Sequence, residues 1–248
     1  MGKRKEWWQD FFLRTYHRVQ RGQFPEETNR KQADLIEQVL ELQPGARVLD
    51  VPCGPGRLAL VLAERGYAVT GVDFNPHALK DAARESKQRS LEISWVRRDM
   101  RRLPWRKVFD GAFCFFGSFG YFDECGNLAF LKAAAQALKP GGHLLVEGHC
   151  LETLLPKFQP SRWGRINKAI VLEEQTFDLA RSRVESDWSF ILGKQRYAHH
   201  LSMRIYSYHE LCGLFEEAGF RNMHGFDTRT GKPFSMGSGR LTLVGVRR

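Results

Sequence analysis

Along the chain, short continuous apolar runs alternate with segments whose apolar residues recur every three or four positions. The segment PEETNRKQADLIEQVLEL, beginning at Pro25, sets Ile36, Val39 and Leu40 at helical spacing, and QPG at 43–45 ends it. ARVLDV (46–51) predicts a short buried strand, RLALVLAERG (57–66) a helix closed by Gly66, and AVTGVDF (68–74) a second strand. NPHALKDAARESKQ and NLAFLKAAAQAL (127–138) read as helices, and EISWVRR, VFDGAFCFF (108–116) and GGHLLVEGH (141–149) as strands. Strands alternating with helices over the first ~150 residues predict a parallel sheet covered on both faces.

After His149 the period changes. RVESDWSFIL places Val184, Ser186, Trp188, Phe190 and Leu192 on one face with charged residues largely opposite, which is the strand period of two. Gly193 and Lys194 punctuate it; QRYAHHLSMRIY then sets Tyr197, Leu201, Met203 and Ile205 against Arg196, His200, Arg204 and Tyr206. Together with KAIVLEEQTFD (168–178) these runs predict a small antiparallel sheet. YHELCGLFEEAGF (208–220) returns to helical spacing with Gly219 as its C-terminal cap, and two last strands are expected near 221–227 and at LTLVGV (241–246). The chain thus divides into an N-terminal part (1–150), an antiparallel insertion (151–206), and a last helix with a strand pair (207–248) that completes the first part.

At 248 residues the chain can bury a real core without covalent staples. The cysteines, Cys53, Cys114, Cys125, Cys150 and Cys212, are odd in number and lack metal-ligand spacing, which suggests reduced thiols in a cytoplasmic protein and no metal site. The amino terminus, MGKRKEWW, lacks the apolar segment of a secretory signal, and no run approaches ~18 uninterrupted apolar residues, so a soluble protein without a membrane partner is expected. A formal net charge of +10 favours acidic partners without choosing among nucleic acid, phosphorylated metabolites and membrane surfaces. Its densest basic run, RRDMRRLPWRK (97–107), is either a solvated loop or a binding patch.

The chemistry concentrates in DVPCGPGRLA (50–59). GPGRLA fits the glycine pattern of dinucleotide-binding turns, and Asp73 follows near the spacing of a ribose-binding carboxylate. A glycine-rich turn between strand and helix suits any ligand that needs close backbone approach. Asp50, four residues before Gly54, separates the possibilities, because an ionised carboxylate there repels a pyrophosphate and attracts an ammonium or sulfonium. Two unit charges ~4 Å apart interact by about 4 kcal/mol at an effective dielectric of 20, enough to choose between those ligands. The alternative is that Asp50 only caps the turn.

In order, VLDVPCGPGR, VTGVDFNPHAL, RRDMRRLP, FDGAFCFFGSFGYF, LKPGGHLLVE and ELCGLFEEAGF resemble the class I S-adenosylmethionine-dependent methyltransferases, small-molecule type, from about Leu35 to Arg248. The resemblance implies an α/β fold with a doubly wound seven-stranded sheet, mostly parallel with an antiparallel last strand, and the small antiparallel sheet inserted after strand five. It implies S-adenosyl-L-methionine as cofactor, with Gly54 and Gly56 beside its amino acid part, Asp50 on the ammonium and Asp73 on the ribose hydroxyls. Phe74 would pack on adenine, Asp99 accept from the adenine amino group, Met100 offer its backbone, and Phe115 lie near the methionyl moiety. Asp73 has a second reading as a helix N-cap, which Asn75 fills better, and Asp99 one as the counter-charge of its arginines.

Methyl transfer is an in-line displacement that needs alignment and exclusion of water, and a base only where the acceptor must first lose a proton. The candidate bases are His149, at the end of strand five, and Tyr121, in the GSFGYF loop. His200, Arg204 and Tyr206 share a face of the inserted sheet that would roof a hydrophobic or aromatic acceptor. Trp7, Trp8, Phe11, Phe12 and Tyr16 give the amino terminus an apolar stripe, either a lid in which Tyr16 touches the acceptor or an ordinary packed helix. The expected activity is O- or N-methylation of a small molecule. Its rivals are an RNA methyltransferase using the basic surface, a nicotinamide oxidoreductase, and a non-catalytic subunit that keeps the cofactor.

Overall fold

The computed structural model describes residues 6–20 and 22–248; the basic residues of 1–5, and residue 21, lie outside the described residues. The chain opens with helix α1 (Trp7–Phe11), a π-helical turn (Phe12–Tyr16) and α2 (His17–Gln20), followed by α3 (Glu26–Val39). Alternation then sets in as β1 (Arg47–Asp50), α4 (Arg57–Glu64), β2 (Ala68–Asp73), α5 (Pro76–Gln88), β3 (Ser94–Arg97), β4 (Phe109–Cys114), α6 (Glu124–Ala137) and β5 (Leu138–Gly148). A short α7 (Leu151–Leu154) leads into β6 (Ser161–Ile166), β7 (Ala169–Asp178), β8 (Arg183–Leu192) and β9 (Gln195–Arg204). The chain closes with α8 (Tyr208–Glu217), β10 (Phe220–Asp227) and β11 (Leu241–Arg247).

Local chemistry sets the boundaries. The Asn75 side chain accepts from the backbone N–H of His77 at 2.9 Å, and Pro76 occupies the first helical position, where a missing N–H costs nothing. Asn75 therefore caps α5 and leaves Asp73 available for other work. Asp123 caps α6 through Gly126, which starts that helix three residues before the apolar spacing does. Ser207 and Glu210 bond reciprocally at the start of α8, and Gly219 ends the run with φ 99°.

The large sheet has seven strands in the order β10-β11-β5-β4-β1-β2-β3. β1 pairs in parallel with β2 and β4, β4 with β5, and β2 with β3, while β11 runs antiparallel to β5 and to β10. One face packs Phe109, Phe130, Leu131, Phe215 and Phe220; the other packs Ile36, Leu40, Leu62 and Phe113. The inserted sheet has four antiparallel strands, β6 to β9, one more than the period-two runs showed. β6 is mostly exposed along Ser161–Ile166, so an alternating buried face was not there to be read. A third apolar cluster, with Phe11, Val19, Val171 and Phe190, joins the N-terminal helices to that sheet.

Candidate cofactor site

β2 lies on one side of β1 and β4 on the other, so the connections leave a crevice at the carboxyl ends of these strands. A cavity of about 240 Å³ opens there. Asp50, Gly54, Asp73, Phe74, Asp99, Met100 and Phe115 line it together, and the amino-terminal Trp8, Phe12 and Tyr16 cover them.

Asp50 ends β1 and Asp73 ends β2, and both are buried. The Asp73 carboxylate is held from two sides: Gly54 N–H donates to Oδ2 at 2.7 Å and Asn75 N–H to Oδ1 at 2.8 Å. Burial nevertheless pushes the Asp73 carboxyl up to about 6, and these backbone donors only partly oppose it. Burial also raises Asp50 well above the ordinary carboxylate range, against the pull of the Arg57 guanidinium. Asp99 is pulled the other way. Its burial is more than offset by Arg101, whose backbone N–H and guanidinium both donate to it, so its carboxyl stays low.

The two glycines have different reasons to be glycine. Gly54 has φ 54° and no atom near its missing side chain, and it lines the cavity. Gly56 has φ 78° and lies outside the lining; a Cβ there would sit 2.4 Å from the Trp95 ring and 3.2 Å from Ala82. Gly56 therefore secures the packing of α4 against β3 and α5.

Arg57 is the principal residue that the sequence pattern did not assign. It begins α4, where a cation opposes the positive end of the helix dipole and so needs a nearby anion; that mismatch was legible in GPGR. Its guanidinium lies 4.5 Å over the Phe24 ring, and Nη1 donates to Asn29 at 3.0 Å and to Gln32. Desolvation lowers its pKa to about 10, opposed by Asp50 and Glu147, and it remains a cation at neutral pH. Among the described residues, the buried side-chain polar atoms without a hydrogen bond are Trp8 Nε1, Gln23 Oε1, Arg57 Nη2 and both ring nitrogens of His199. The first three belong to residues that line the cavity. Burying a polar atom unpaired is costly, so their concentration in one cavity marks a place for a polar ligand.

Tyr16 and Tyr121 line the same cavity, and burial pushes both phenols far above their ordinary value, so both are neutral. His149, His200, Arg204 and Tyr206 are not in its lining. His149 meets Thr153 at 3.2 Å and Arg240 at 3.2 Å, and burial beside Arg240 lowers its pKa to about 4. His200 is half-exposed between Asp187 and Glu185. Arg204 pairs with Glu124 and Glu210, and the buried Tyr206 donates to Glu124 at 2.7 Å. His200 lies on the outward face of the inserted sheet, whose inner face packs Trp188 and Phe190 on Phe11 and Tyr16, whereas Tyr206 follows the end of β9 and is buried beside Asn127.

Residues 48–142 match the family model of a methyltransferase domain. The demethylmenaquinone methyltransferase of Thermus thermophilus is 37% identical over 114 residues, 45% of this chain and 50% of that protein. Residues 48–142 thus carry a methyltransferase domain. The chain spans about half the length of that curated relative. The methyltransferase fold extends over the rest of the chain as well. An S-adenosylmethionine-dependent methyltransferase from Clostridium acetobutylicum superposes with a TM-score of 0.78 at 20% identity, covering 88% of this chain and 92% of that one. The sugar N-methyltransferase KedS8 from a Streptoalloteichus species does so with 0.71 at 21%, covering 95% and 94%. Among the described residues no His, Cys, Asp and Glu cluster has metal-ligand geometry, and no helix is long and apolar enough to cross a membrane.

Proposed function

We propose that the chain transfers a methyl group from S-adenosylmethionine to a nitrogen or oxygen of a small, apolar or aromatic molecule. The observation that carries this reading is that Asp50 and Arg57, whose charges attract each other, both line a cavity in which three buried polar atoms lack partners. An ammonium and a carboxylate on one amino acid match that pair, whereas a pyrophosphate would bring its charge against Asp50 and Asp73. When bound, S-adenosylmethionine supplies an electrophilic methyl group on a sulfonium. The chain supplies the rest: Asp50 attracts the ammonium, Arg57 Nη2 donates to the carboxylate, and Asp73 accepts from the ribose hydroxyls. Phe74, Asp99 and Met100 form the adenine end. Phe12, Tyr16, Phe116 and Tyr121 give the remaining wall an aromatic surface that orients an acceptor and excludes water.

Names of similar proteins support a small acceptor, since one acts on demethylmenaquinone and another on a sugar nitrogen. The test uses a labelled methyl donor with quinol, phenol and amino-sugar acceptors beside bulk RNA. Label in a small acceptor is expected. Label in RNA alone contradicts the reading and favours a nucleic-acid enzyme that uses the basic surface.

Catalysis then rests on alignment. A general base contributes roughly 10²–10⁴-fold, yet His149 is outside the cavity lining and is tied to Arg240, so His149→Gln is expected to keep kcat within about threefold. A hundredfold loss in steady-state turnover would restore His149 as the base.

Binding is expected to depend on pH through the buried carboxylates. A cationic ligand favours their ionised forms, so it lowers pKa values that burial has raised and releases protons as it binds. Affinity therefore falls as the pH drops through the Asp73 value of about 6. Calorimetry at pH near 6 in two buffers of different ionisation enthalpy reads the proton release, and Asp73→Asn should flatten the profile. Affinity that rises on acidification is the contrary result.

A further inference from the structure

The amino-terminal segment lies across the cavity and is fastened to the loops that form its floor. Asn75 Nδ2 donates to the Phe12 carbonyl at 2.8 Å, and Trp7 Nε1 donates to the Tyr121 carbonyl at 3.2 Å. Arg101 grips Glu6 with two bonds of 3.0 and 2.9 Å while holding Asp99 at 2.7 Å. Trp8 sits in the middle of this fastening. It is 5% exposed, meets the Phe74 ring edge-on at 4.6 Å and the Phe122 ring at 5.8 Å, and carries Arg101 over its own ring. Its indole N–H is buried without an acceptor, although the ring lines the cavity beside Phe74, Asp99 and Met100.

A tryptophan that only filled space could be a phenylalanine and avoid burying an unpaired donor. The need for a donor here is met by a ligand that presents an acceptor at this end of the cavity. Adenine does so at its ring nitrogens, in the plane of the base. We propose that Trp8 donates its indole N–H to a ring nitrogen of the adenine, making the amino-terminal segment a reader of the cofactor base as well as a cover over it. This inference rests on the reading of the cavity as the S-adenosylmethionine site. It goes beyond that reading by assigning base recognition to a residue outside the matched domain, on a segment whose closure and adenine binding become one event.

The experiment compares Trp8→Phe with the wild-type chain by calorimetric titration with S-adenosylhomocysteine and its 1-deaza, 3-deaza and 7-deaza analogues. In the wild type, the analogue that lacks the paired nitrogen binds roughly 3- to 10-fold more weakly, the range of one neutral hydrogen bond. Trp8→Phe loses the same factor with S-adenosylhomocysteine and nothing further with that analogue, and it still unfolds in one cooperative transition. In a ¹H–¹⁵N spectrum of the wild type, the indole resonance absent from Trp8→Phe moves downfield when S-adenosylhomocysteine is added. Equal weakening of every analogue by Trp8→Phe, or an indole resonance that stays in place, overturns the inference and leaves the cofactor assignment intact. Wild-type protein that fails to bind S-adenosylhomocysteine removes both.

Discussion

Asp50→Asn is expected to weaken S-adenosylmethionine and S-adenosylhomocysteine by about 10²–10³-fold. The variant keeps the shape of the side chain and removes only its charge. At ~4 Å and an effective dielectric of 20, an ammonium and a carboxylate attract by about 4 kcal/mol, which is nearly three powers of ten in a dissociation constant. 5′-Methylthioadenosine has no amino acid part, and its binding should change by less than about threefold, because it keeps every contact except the charged ones. Folding moves in the other direction. Asp50 is 3% exposed and burial disfavours its ionised form, so a neutral isostere should melt at the same temperature or higher. Isothermal titration and a thermal melt of the same preparation read both effects. Equal loss for all three ligands, or a lower melting temperature with intact binding, would make Asp50 a structural cap.

Gly56→Ala is expected to fail in folding, whereas Gly54→Ala fails in binding. A non-glycine residue in the left-handed region costs about 1–2 kcal/mol, and this applies at both positions. Only at Gly56 does the new methyl meet a neighbour, 2.4 Å from the Trp95 ring, and overpacking of that kind adds about 1–3 kcal/mol. The sum, about 2–5 kcal/mol, corresponds to a fall of roughly 5–15 °C in melting temperature for a chain of this size. Pairing Gly56→Ala with Trp95→Leu should recover part of the loss. At Gly54 a side chain meets nothing in the protein and projects beside the cavity, so most of its effect appears as weaker S-adenosylhomocysteine binding. Identical thermal penalties at the two glycines would contradict the division of roles.

Much of the fold was legible because each local signal agreed with the next. Asn75 before Pro76, Gly66 after α4 and Gly219 after α8 mark boundaries by backbone chemistry that does not depend on tertiary packing. The alternation of buried runs and helical spacing up to β5 then leaves few ways to arrange a parallel sheet. The residues assigned to the cofactor by their place in that order, Asp50, Gly54, Asp73, Phe74, Asp99, Met100 and Phe115, gather around one cavity because strand ends bring them there.

The acceptor side was less legible. Tyr206 lies past the end of β9, buried beside Asn127 and Glu124. Arg204 follows His200 at the strand period, but a period is silent on whether a face turns toward the main sheet or toward solvent. That choice is made by Phe11 and Tyr16 packing on Trp188 and Phe190 across most of the chain's length. Trp8 and Arg57 carried their signals in the sequence, as an aromatic in the amino-terminal stripe and as a cation at a helix start. Their unpartnered atoms, however, exist only once the residues are buried together. Gly56 shows the reverse case, where a ligand-binding motif contained a residue required by the packing of α4 against Trp95.

The most direct measurement is a calorimetric titration of the purified chain with S-adenosylhomocysteine and, separately, with NADH. One S-adenosylhomocysteine is expected to bind per chain in the micromolar range, with protons released near pH 6, and NADH is expected to give no heat. Saturable NADH binding with none for S-adenosylhomocysteine would mean that the cavity beside Asp50 accepts a pyrophosphate, and the proposed chemistry would fall with it.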